Sequence, residues 1–295
     1  MTFALHPDTQ LGPVKLKVSN LERSIAFYQE IIGFDILRKR DQIVELTADG
    51  KETLLILEEV SSGSMYQPGT TLGLYHVAIL LPERSDLGLF LKHIIDKRIE
   101  IGSADHFVSE AIYLSDPDFN GLEIYRDRPR EEWTKVASGD YTMVTERIDV
   151  EGLLDSTGED VWHGLPPQTK IGHIHLHVRD LKESQDFYKS LGFEITVGNM
   201  TNVGMLFLAA GGYHHHIGLN IWAGPNALVR SKNAVGLAYY TVMLPNQDEL
   251  TDLIDHLKAT GHKPVEQEIG VWVVLDPIGI EIQLTTESSK NMEEK

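Results

Sequence analysis

Histidines are concentrated in two short segments of this sequence. Thirteen histidines occur in 295 residues, and six of them lie in the segments 173–177 and 214–216. If the first segment is a strand, His173, His175 and His177 share one face, and the aliphatic residues between them share the other. Neutral imidazoles bind divalent metals and accept protons. The pattern predicts a metal or acid–base site, against the plainer interpretation of a solvated polar face that any single histidine would favour.

The elements that would hold these histidines recur along the chain. GPVKLKVSNLERSIAFY, from Gly12, matches GHIHLHVRDLKESQDFY, from Gly172, at seven of seventeen positions and at a constant offset of 160. LYHVAILLP then matches LAYYTVMLP, and DPDFNGLEI matches DPIGIEI, in the same order. Three blocks that repeat in one order indicate a duplicated domain.

Each half of the duplication also contains two similar units. The segment 14–18 alternates apolar and polar residues, as a half-buried strand does, and an amphipathic segment follows it. In the second half, Asp180 with Glu183 is the acidic form of a capping box and marks the start of a helix. Glycine-punctuated strands come after each helix. The order strand, helix and three strands occurs four times.

Length and composition agree with two domains. The chain has a mass of 33.1 kDa, and its 42% hydrophobic residues suffice for a core in each half. We predict domains at 8–128 and 169–287, with 129–168, which is rich in charge, Pro, Gly and Ser, as a connecting segment. The absence of cysteine excludes disulfide frameworks, thiolate metal sites and cysteine nucleophiles.

Charge and hydropathy restrict the partners. A net charge of −18 repels phosphate backbones and anionic lipid, and no compensating basic patch occurs. The longest apolar runs have the length of strands, and MTFALHPDTQLG at the start lacks the features of a signal peptide. We therefore expect a cytoplasmic protein that binds neither nucleic acid nor membrane. Its partners would be small molecules and, in a homo-oligomer, further copies of itself.

The paired modules that end in DP-x-G-x-E-I resemble the vicinal oxygen chelate superfamily, which includes glyoxalase I, bleomycin-resistance proteins and type I extradiol dioxygenases. The resemblance covers nearly the whole chain, and GHIHLHV with GGYHHHIGLNIW is most similar to the catechol-2,3-dioxygenase-type members. It implies an α+β fold, in which four βαβββ modules pair into two glyoxalase-like domains with cupped mixed sheets. It also implies metal ligands on the first and last strands of the modules, facing the cup.

The positions that the resemblance makes equivalent across modules are His173, His216, Tyr239 and Glu281. We expect His173, His216 and Glu281 to bind one divalent ion in the C-terminal cup, since alternation places all three on the cup face. Fe(II) is the expected metal, with Mn(II), Ni(II) and Zn(II) as alternatives. Tyr239 would hydrogen-bond a substrate oxygen, because a phenol with a pKa near ~10 must lose its proton before it can ligate. His214 would be the general base.

The extradiol pattern itself suggests a second assignment. These enzymes have an iron-binding histidine at the position of Tyr239 and an acid–base histidine near that of His216. Tyr239 could therefore be the third ligand and His216 the acid–base residue. The resemblance also implies a tyrosine near the position of Val273, where this chain has none.

The N-terminal half keeps only part of the site. It contains His76 and Glu123, but Pro13 stands where the repeat places His173, and two lysines fill the next cup-facing positions. Proline cannot ligate a metal, and lysines oppose a cation. We expect this half to be degenerate, so that replacing His76 with alanine would leave the metal content unchanged.

Three functions are compatible with this resemblance. The first is a metal-dependent, extradiol-type dioxygenase that cleaves the ring of a catechol-like aromatic diol with dioxygen. The second is a glyoxalase-type lyase or isomerase, which needs no oxygen. The third is a non-catalytic protein that binds a small molecule, such as a drug, in the cup. The predicted His-His-Glu set favours the first, because it leaves coordination positions open for a diol and dioxygen.

Overall fold

The computed structural model describes residues 3–60 and 63–286. In these residues sixteen strands and four of the five α-helices form four βαβββ modules. The first module consists of β1 (Gln10–Val18), α1 (Leu21–Phe27), β2 (Asp35–Arg40), β3 (Ile43–Thr47) and β4 (Leu55–Glu59). The second consists of β5 (Gly73–Leu81), α2 (Arg84–Lys97), β6 (Gly102–Asp105), β7 (Ser109–Ser115) and β8 (Gly121–Asp127).

The connecting segment contains one short helix, α3 (Val150–Asp155). The third module consists of β9 (Lys170–His177), α4 (Leu181–Ser190), β10 (Glu194–Val197), β11 (Met205–Ala209) and β12 (Ile217–Asn220). The fourth consists of β13 (Gly236–Leu244), α5 (Gln247–Ala259), β14 (Val265–Glu268), β15 (Val271–Leu275) and β16 (Glu281–Thr286). Short helical turns of other types occur at Tyr28–Ile32, Arg130–Glu132 and Thr201–Val203.

The modules form two eight-stranded mixed sheets. The first sheet has the order β14-β15-β16-β13-β1-β4-β3-β2, and the second has the order β10-β11-β12-β9-β5-β8-β7-β6. At their centres β1 runs antiparallel to β13, and β5 runs antiparallel to β9. The predicted α+β class, with four modules paired into two curled sheets, is confirmed.

The pairing of modules differs from the predicted one. The first sheet joins the first and fourth modules, and the second sheet joins the second and third. The predicted halves 8–128 and 169–287 therefore each contribute one module to each sheet, and residue 287 lies outside the described residues. Every module begins with a similar apolar strand that can pair antiparallel with any other first strand, so local sequence does not select the partner.

Side chains cap the start of several helices. The side chains of Asn20, Asp149, Asp180 and Asn246 each accept a hydrogen bond from a backbone N–H in the first turn of α1, α3, α4 and α5. Such caps satisfy donors that have no partner within the helix. The predicted start of α4 at Asp180 is confirmed by the bond from the N–H of Glu183, but among the described residues the Glu183 side chain makes no bond back to Asp180 that would complete the capping box. No helix in the described ranges is both long and apolar enough to cross a membrane.

Each half of the sequence contains one hydrogen bond that connects the two sheets, and the two bonds are at equivalent positions of the repeat. The hydroxyl of Tyr28, just after α1, donates to Asp116 at 3.1 Å, and that of Tyr188, in α4, donates to Asp276 at 3.2 Å. Both tyrosines are fully buried. Each aspartate precedes the last strand of the following module. The duplication therefore preserves a buried polar contact between neighbouring modules that lie in different sheets.

We predict that Asp276 makes the stability of the fold depend on pH. Burial is the main cause that raises the pKa of Asp276 to about 6. Between pH ~4 and pH ~6 the folded protein keeps a proton that the unfolded chain has lost, so this contribution to stability is lost as the pH rises through about 6. The shift corresponds to about 3 kcal/mol. Denaturant unfolding measures the free energy of unfolding of wild type and of Asp276→Asn at several pH values. As the pH rises, we expect this free energy to fall by that amount in wild type relative to the variant. A difference between the two proteins that did not change with pH would contradict the assignment of this pKa to Asp276.

Candidate metal centre

Three potential ligands meet at the centre of the second sheet. His76 lies on β5, Glu123 on β8 and His173 on β9, and β5 pairs with both of the other strands. Ala78 of β5 is opposite Glu123 on one side and opposite His173 on the other. Because side chains alternate along a strand, His76, Ala78, Glu123 and His173 lie on the same face of the sheet. Val77, the next residue along β5, is on the opposite face and is buried in the core. The small side chain of Ala78 leaves space between the ligands.

The distances between the donor atoms suit a single divalent ion. Oε2 of Glu123 lies 2.9 Å from Nε2 of His76 and 3.1 Å from Nε2 of His173. The two Nε2 atoms are 3.3 Å apart. Ligands at right angles, each ~2.1 Å from an ion, are separated by about 3 Å. These three donors therefore have the spacing of a facial set of two histidines and one carboxylate, which leaves other positions open.

Burial keeps the imidazole of His173 in the neutral form that a metal ligand needs. His173 and Glu123 are 1% and 2% exposed, and His76 is 5% exposed. Burial is the main cause that lowers the pKa of His173 to about 4, so its imidazole is neutral near neutral pH. Nδ1 of His173 is buried and has no hydrogen-bond partner among the described residues. Within the same residues, these three form a group of His, Asp or Glu whose ligand atoms all lie within 4.8 Å of one another.

A cavity of about 550 Å³ opens beside the three donors. Its volume is within the range of small-molecule sites. The rest of the wall is largely aromatic and apolar, with several polar side chains. It includes Tyr75, Tyr113, Met205, Phe207 and Trp222, together with Ser103, His106, His175 and His215. An aromatic molecule of moderate size fits such a lining.

The cavity wall includes Tyr113, for which the sequence predicts no role. Tyr113 of β7 is 160 residues before Val273, so it is the repeat equivalent of the position where the resemblance implied a tyrosine. Its hydroxyl lies 2.6 Å from Nε2 of His106, and Nδ1 of His106 lies 2.6 Å from the carbonyl oxygen of Val144. That carbonyl can only accept a hydrogen bond, so His106 donates to it from Nδ1. In the neutral ring Nε2 then accepts a hydrogen bond from the hydroxyl of Tyr113.

The connecting segment forms part of the same wall. Met143, Val144 and Thr145 line the cavity, although the composition of 129–168 predicts only a connection. Glu146 of this segment also forms a bridge to Asp105 at the end of β6. The segment therefore covers the site as well as joining the modules. Its polar and Gly-rich composition carried no signal for this role.

The three histidines at 214–216 have different surroundings. His215 lines the cavity, with its ring centroid 4.0 Å from that of His173. His214 lies behind it, with Nδ1 2.7 Å from Nδ1 of His215 and Nε2 2.7 Å from Oδ1 of Asp127. His216 accepts a hydrogen bond at Nδ1 from a backbone N–H, at 3.2 Å. Burial is the main cause that lowers the pKa of His216 to about 3.

The structure does not assemble the predicted set of His173, His216 and Glu281. Glu281 and Tyr239 are opposite each other on β16 and β13, in the first sheet, whereas His173 is in the second. The physical reason is the pairing of modules, because the fourth module faces the first and the third faces the second. His173 instead lies beside His76 and Glu123, which the sequence predicts to belong to a degenerate half.

The corresponding face of the first sheet contains a lysine and several carboxylates. Nζ of Lys15 lies 3.0 Å from Glu58 and 5.9 Å from the ring centroid of Tyr239. Burial, followed by the nearby glutamates, raises the pKa of Tyr239 to about 12. A phenol with this pKa stays protonated at neutral pH. The ammonium group of Lys15 and the lack of a histidine at position 13 disfavour a cation at this face.

Comparison with known proteins agrees with this architecture. The model of the Glyoxalase/Bleomycin resistance protein/Dioxygenase superfamily matches residues 10–124 and 170–284. A catechol-2,3-dioxygenase of Bacillus subtilis (strain 168) is 51% identical over 276 residues, which are 93% of this chain and 96% of that protein. The similarity thus extends over both halves of the repeat.

Solved structures have the same fold at low sequence identity. A candidate dioxygenase from Bacillus subtilis subsp. subtilis str. 168 has a TM-score of 0.65 at 12% identity, with 94% of this chain and 85% of that chain covered. Glyoxalase I from Zea mays has a TM-score of 0.58 at 18% identity, with 97% and 95% covered. At these identities the likeness shows the fold alone.

Proposed function

We propose that this protein, which belongs to the Glyoxalase/Bleomycin resistance protein/Dioxygenase superfamily, is a metal-dependent extradiol-type dioxygenase that cleaves the ring of a catechol-like aromatic diol. The observation that carries the proposal is the set of three donor atoms from His76, Glu123 and His173, separated by 2.9–3.3 Å at the base of a largely apolar cavity. The 51% identity to a catechol-2,3-dioxygenase supports the choice of reaction.

The three donors would hold the metal, which we propose is Fe(II). Two neutral imidazoles and one carboxylate are the ligands of the non-haem iron(II) oxygenases. When bound, such an ion lowers the pKa of a coordinated hydroxyl and offers open positions to the diol and to dioxygen.

His215 would accept a proton from a substrate hydroxyl. Its ring lies against that of the ligand His173 and faces the cavity, so a diol bound at the three donors would be within its reach. Burial is the main cause that lowers the pKa of His215 well below its usual value, so the ring is neutral before the diol binds. Proton transfer by a positioned histidine contributes roughly 10²- to 10⁴-fold to a rate.

The aromatic wall would orient the substrate ring. The ring centroid of Phe207 is 4.6 Å from that of His215 and 5.7 Å from that of His175. Trp222 lies 6.0 Å from His175, centroid to centroid. Tyr113, whose hydroxyl is bonded to His106, provides a polar group in this wall that a substrate oxygen can contact. Edge and face contacts of this kind hold a flat ring in a defined plane.

The proposal is tested by metal loading and oxygen consumption. The metal-free protein is loaded anaerobically with Fe(II), Mn(II), Ni(II) or Zn(II), and catechol is then added in air-saturated buffer. We expect about one ion per chain, consumption of one dioxygen per catechol with Fe(II), and incorporation of both atoms of ¹⁸O₂ into a ring-opened product. One ion per chain follows from a single three-donor site, and the incorporation of both oxygen atoms follows from the proposed dioxygenase reaction.

Two other results would refute the proposed reaction. If Ni(II) or Zn(II) protein isomerised a hemithioacetal and no form consumed oxygen, the protein would be a glyoxalase-type enzyme. If catechol bound without turnover under every metal, the protein would be a small-molecule binding protein. Wild type and His76→Ala are compared throughout, so that any activity of free metal is subtracted.

A further inference from the structure

A chain of three side chains extends from the protein surface to the cavity. The carboxylate of Asp127, at the end of β8, is 24% exposed. Its Oδ1 lies 2.7 Å from Nε2 of His214, whose Nδ1 lies 2.7 Å from Nδ1 of His215. His214 is fully buried, and His215 lines the cavity. Asp127, His214 and His215 are not among the three residues whose donor atoms meet at the candidate metal site.

The chemistry of the three groups gives each hydrogen bond a direction. An ionised carboxylate can only accept, so Nε2 of His214 donates to Asp127. In a neutral imidazole the other nitrogen then accepts, so Nδ1 of His214 accepts a proton from Nδ1 of His215. The neutral ring of His215 therefore carries its proton on Nδ1 and has a lone pair on Nε2. Nε2 of His215 has no hydrogen-bond partner within residues 3–60 and 63–286.

Packing holds the middle ring in this orientation. Tyr213 and Trp133 lie 4.1 Å and 5.1 Å from His214, centroid to centroid. The hydroxyl of Tyr213 donates to the same oxygen of Asp127 at 3.2 Å. The backbone carbonyl of His214 accepts from the hydroxyl of Thr196 at 2.6 Å. These ring contacts, together with the hydrogen bonds at its two nitrogens, hold the His214 ring between Asp127 and His215.

We propose that Asp127 is a positioning residue which, through His214, sets the tautomer of His215 so that Nε2 presents a lone pair to the substrate. This inference rests on the proposed function, because it assigns His215 as the group that accepts the diol proton. In that step the O–H bond of the substrate breaks, its electron pair stays on the oxygen, and a new N–H bond forms at Nε2. The opposite tautomer would present an N–H to the hydroxyl and could not accept its proton.

The tautomer can be observed without turnover. Protein labelled with ¹⁵N-histidine is studied in its metal-free form by long-range ¹H–¹⁵N correlation, in which protonated and unprotonated ring nitrogens resonate far apart. In wild type we expect His215 to be protonated at Nδ1 and unprotonated at Nε2. In Asp127→Ala, which removes the acceptor, we expect both tautomers of His215. Asp186→Ala, at an exposed position of α4, is the control and should give the wild-type spectrum.

Kinetics of the iron-loaded variants give the second measurement. We expect Asp127→Ala to lower kcat about 10- to 100-fold, part of the usual contribution of acid–base catalysis, with little change in KM or metal content. His214→Phe, which breaks the chain at its middle with a ring of similar shape, should have a similar effect. The double variant should then have about the same kcat as either single variant, because both substitutions remove the same control of the His215 tautomer.

The outcomes separate this inference from the proposed function. A wild-type tautomer of His215 in Asp127→Ala would overturn the inference, whatever the activity. So would a loss of kcat in Asp127→Ala that followed a loss of bound metal. If wild type showed the expected tautomer and the variant lost it, but no form consumed oxygen with catechol, the positioning role of Asp127 would stand and the proposed reaction would fail.

Discussion

Replacing His76 with alanine is expected to abolish tight metal binding and, with it, oxygen consumption. His76 supplies one of three donor atoms, and its Nε2 lies 2.9 Å from Glu123 and 3.3 Å from His173. Loss of a residue that only orients a ligand lowers metal affinity by 10- to 100-fold, so loss of a ligand should cost more than about 100-fold. Metal content after dialysis and a titration with Fe(II) measure the effect. The sequence-based expectation was the opposite, namely an unchanged metal content.

The duplication supplies a matched control for this prediction. Glu123→Gln and Glu281→Gln make the same isosteric change at equivalent positions of the second and fourth modules. We expect the first change to weaken metal binding and the second to leave both metal content and kcat unchanged, because Glu281 lies in the other sheet. Loss of metal in Glu281→Gln with retention in Glu123→Gln would place the site in the first sheet.

The second large effect is expected at His215. His215→Phe keeps a flat ring beside His173 but removes the nitrogen that accepts the substrate proton. We expect kcat to fall by about 10²- to 10⁴-fold, with metal content retained and KM changed little. Steady-state oxygen consumption and metal analysis of the same preparation test this directly. Retained kcat would exclude His215 as the proton acceptor, and loss of metal would make it a ligand.

His216 provides the comparison for this variant. Its Nδ1 accepts the backbone N–H of Ala210 at 3.2 Å, away from the three donors. His216→Leu would leave that buried N–H without an acceptor, which costs about 1–3 kcal/mol of stability. We therefore expect a lower free energy of unfolding and a bound metal with nearly normal kcat. The sequence-based assignment of His216 as a ligand predicts the reverse, with loss of both metal and activity.

Much of the architecture could be predicted from the sequence. Three repeated blocks and the alternation of apolar residues were enough for four βαβββ modules and for the α+β class, and Asp180 was correctly predicted as a cap. The same alternation placed His173 on the open face of its strand. These features depend on neighbours within a few residues, and local backbone geometry decides which face a side chain occupies.

The partner of each module was decided only by the tertiary structure. The sequence placed His173 with Glu281, because both belong to the second half, whereas the sheet places it with His76 and Glu123. Equivalent first strands have nearly the same pattern of apolar residues, so each could pair with any other. The choice depends on packing contacts between residues far apart in the sequence, such as β5 against β9, and no local pattern records them.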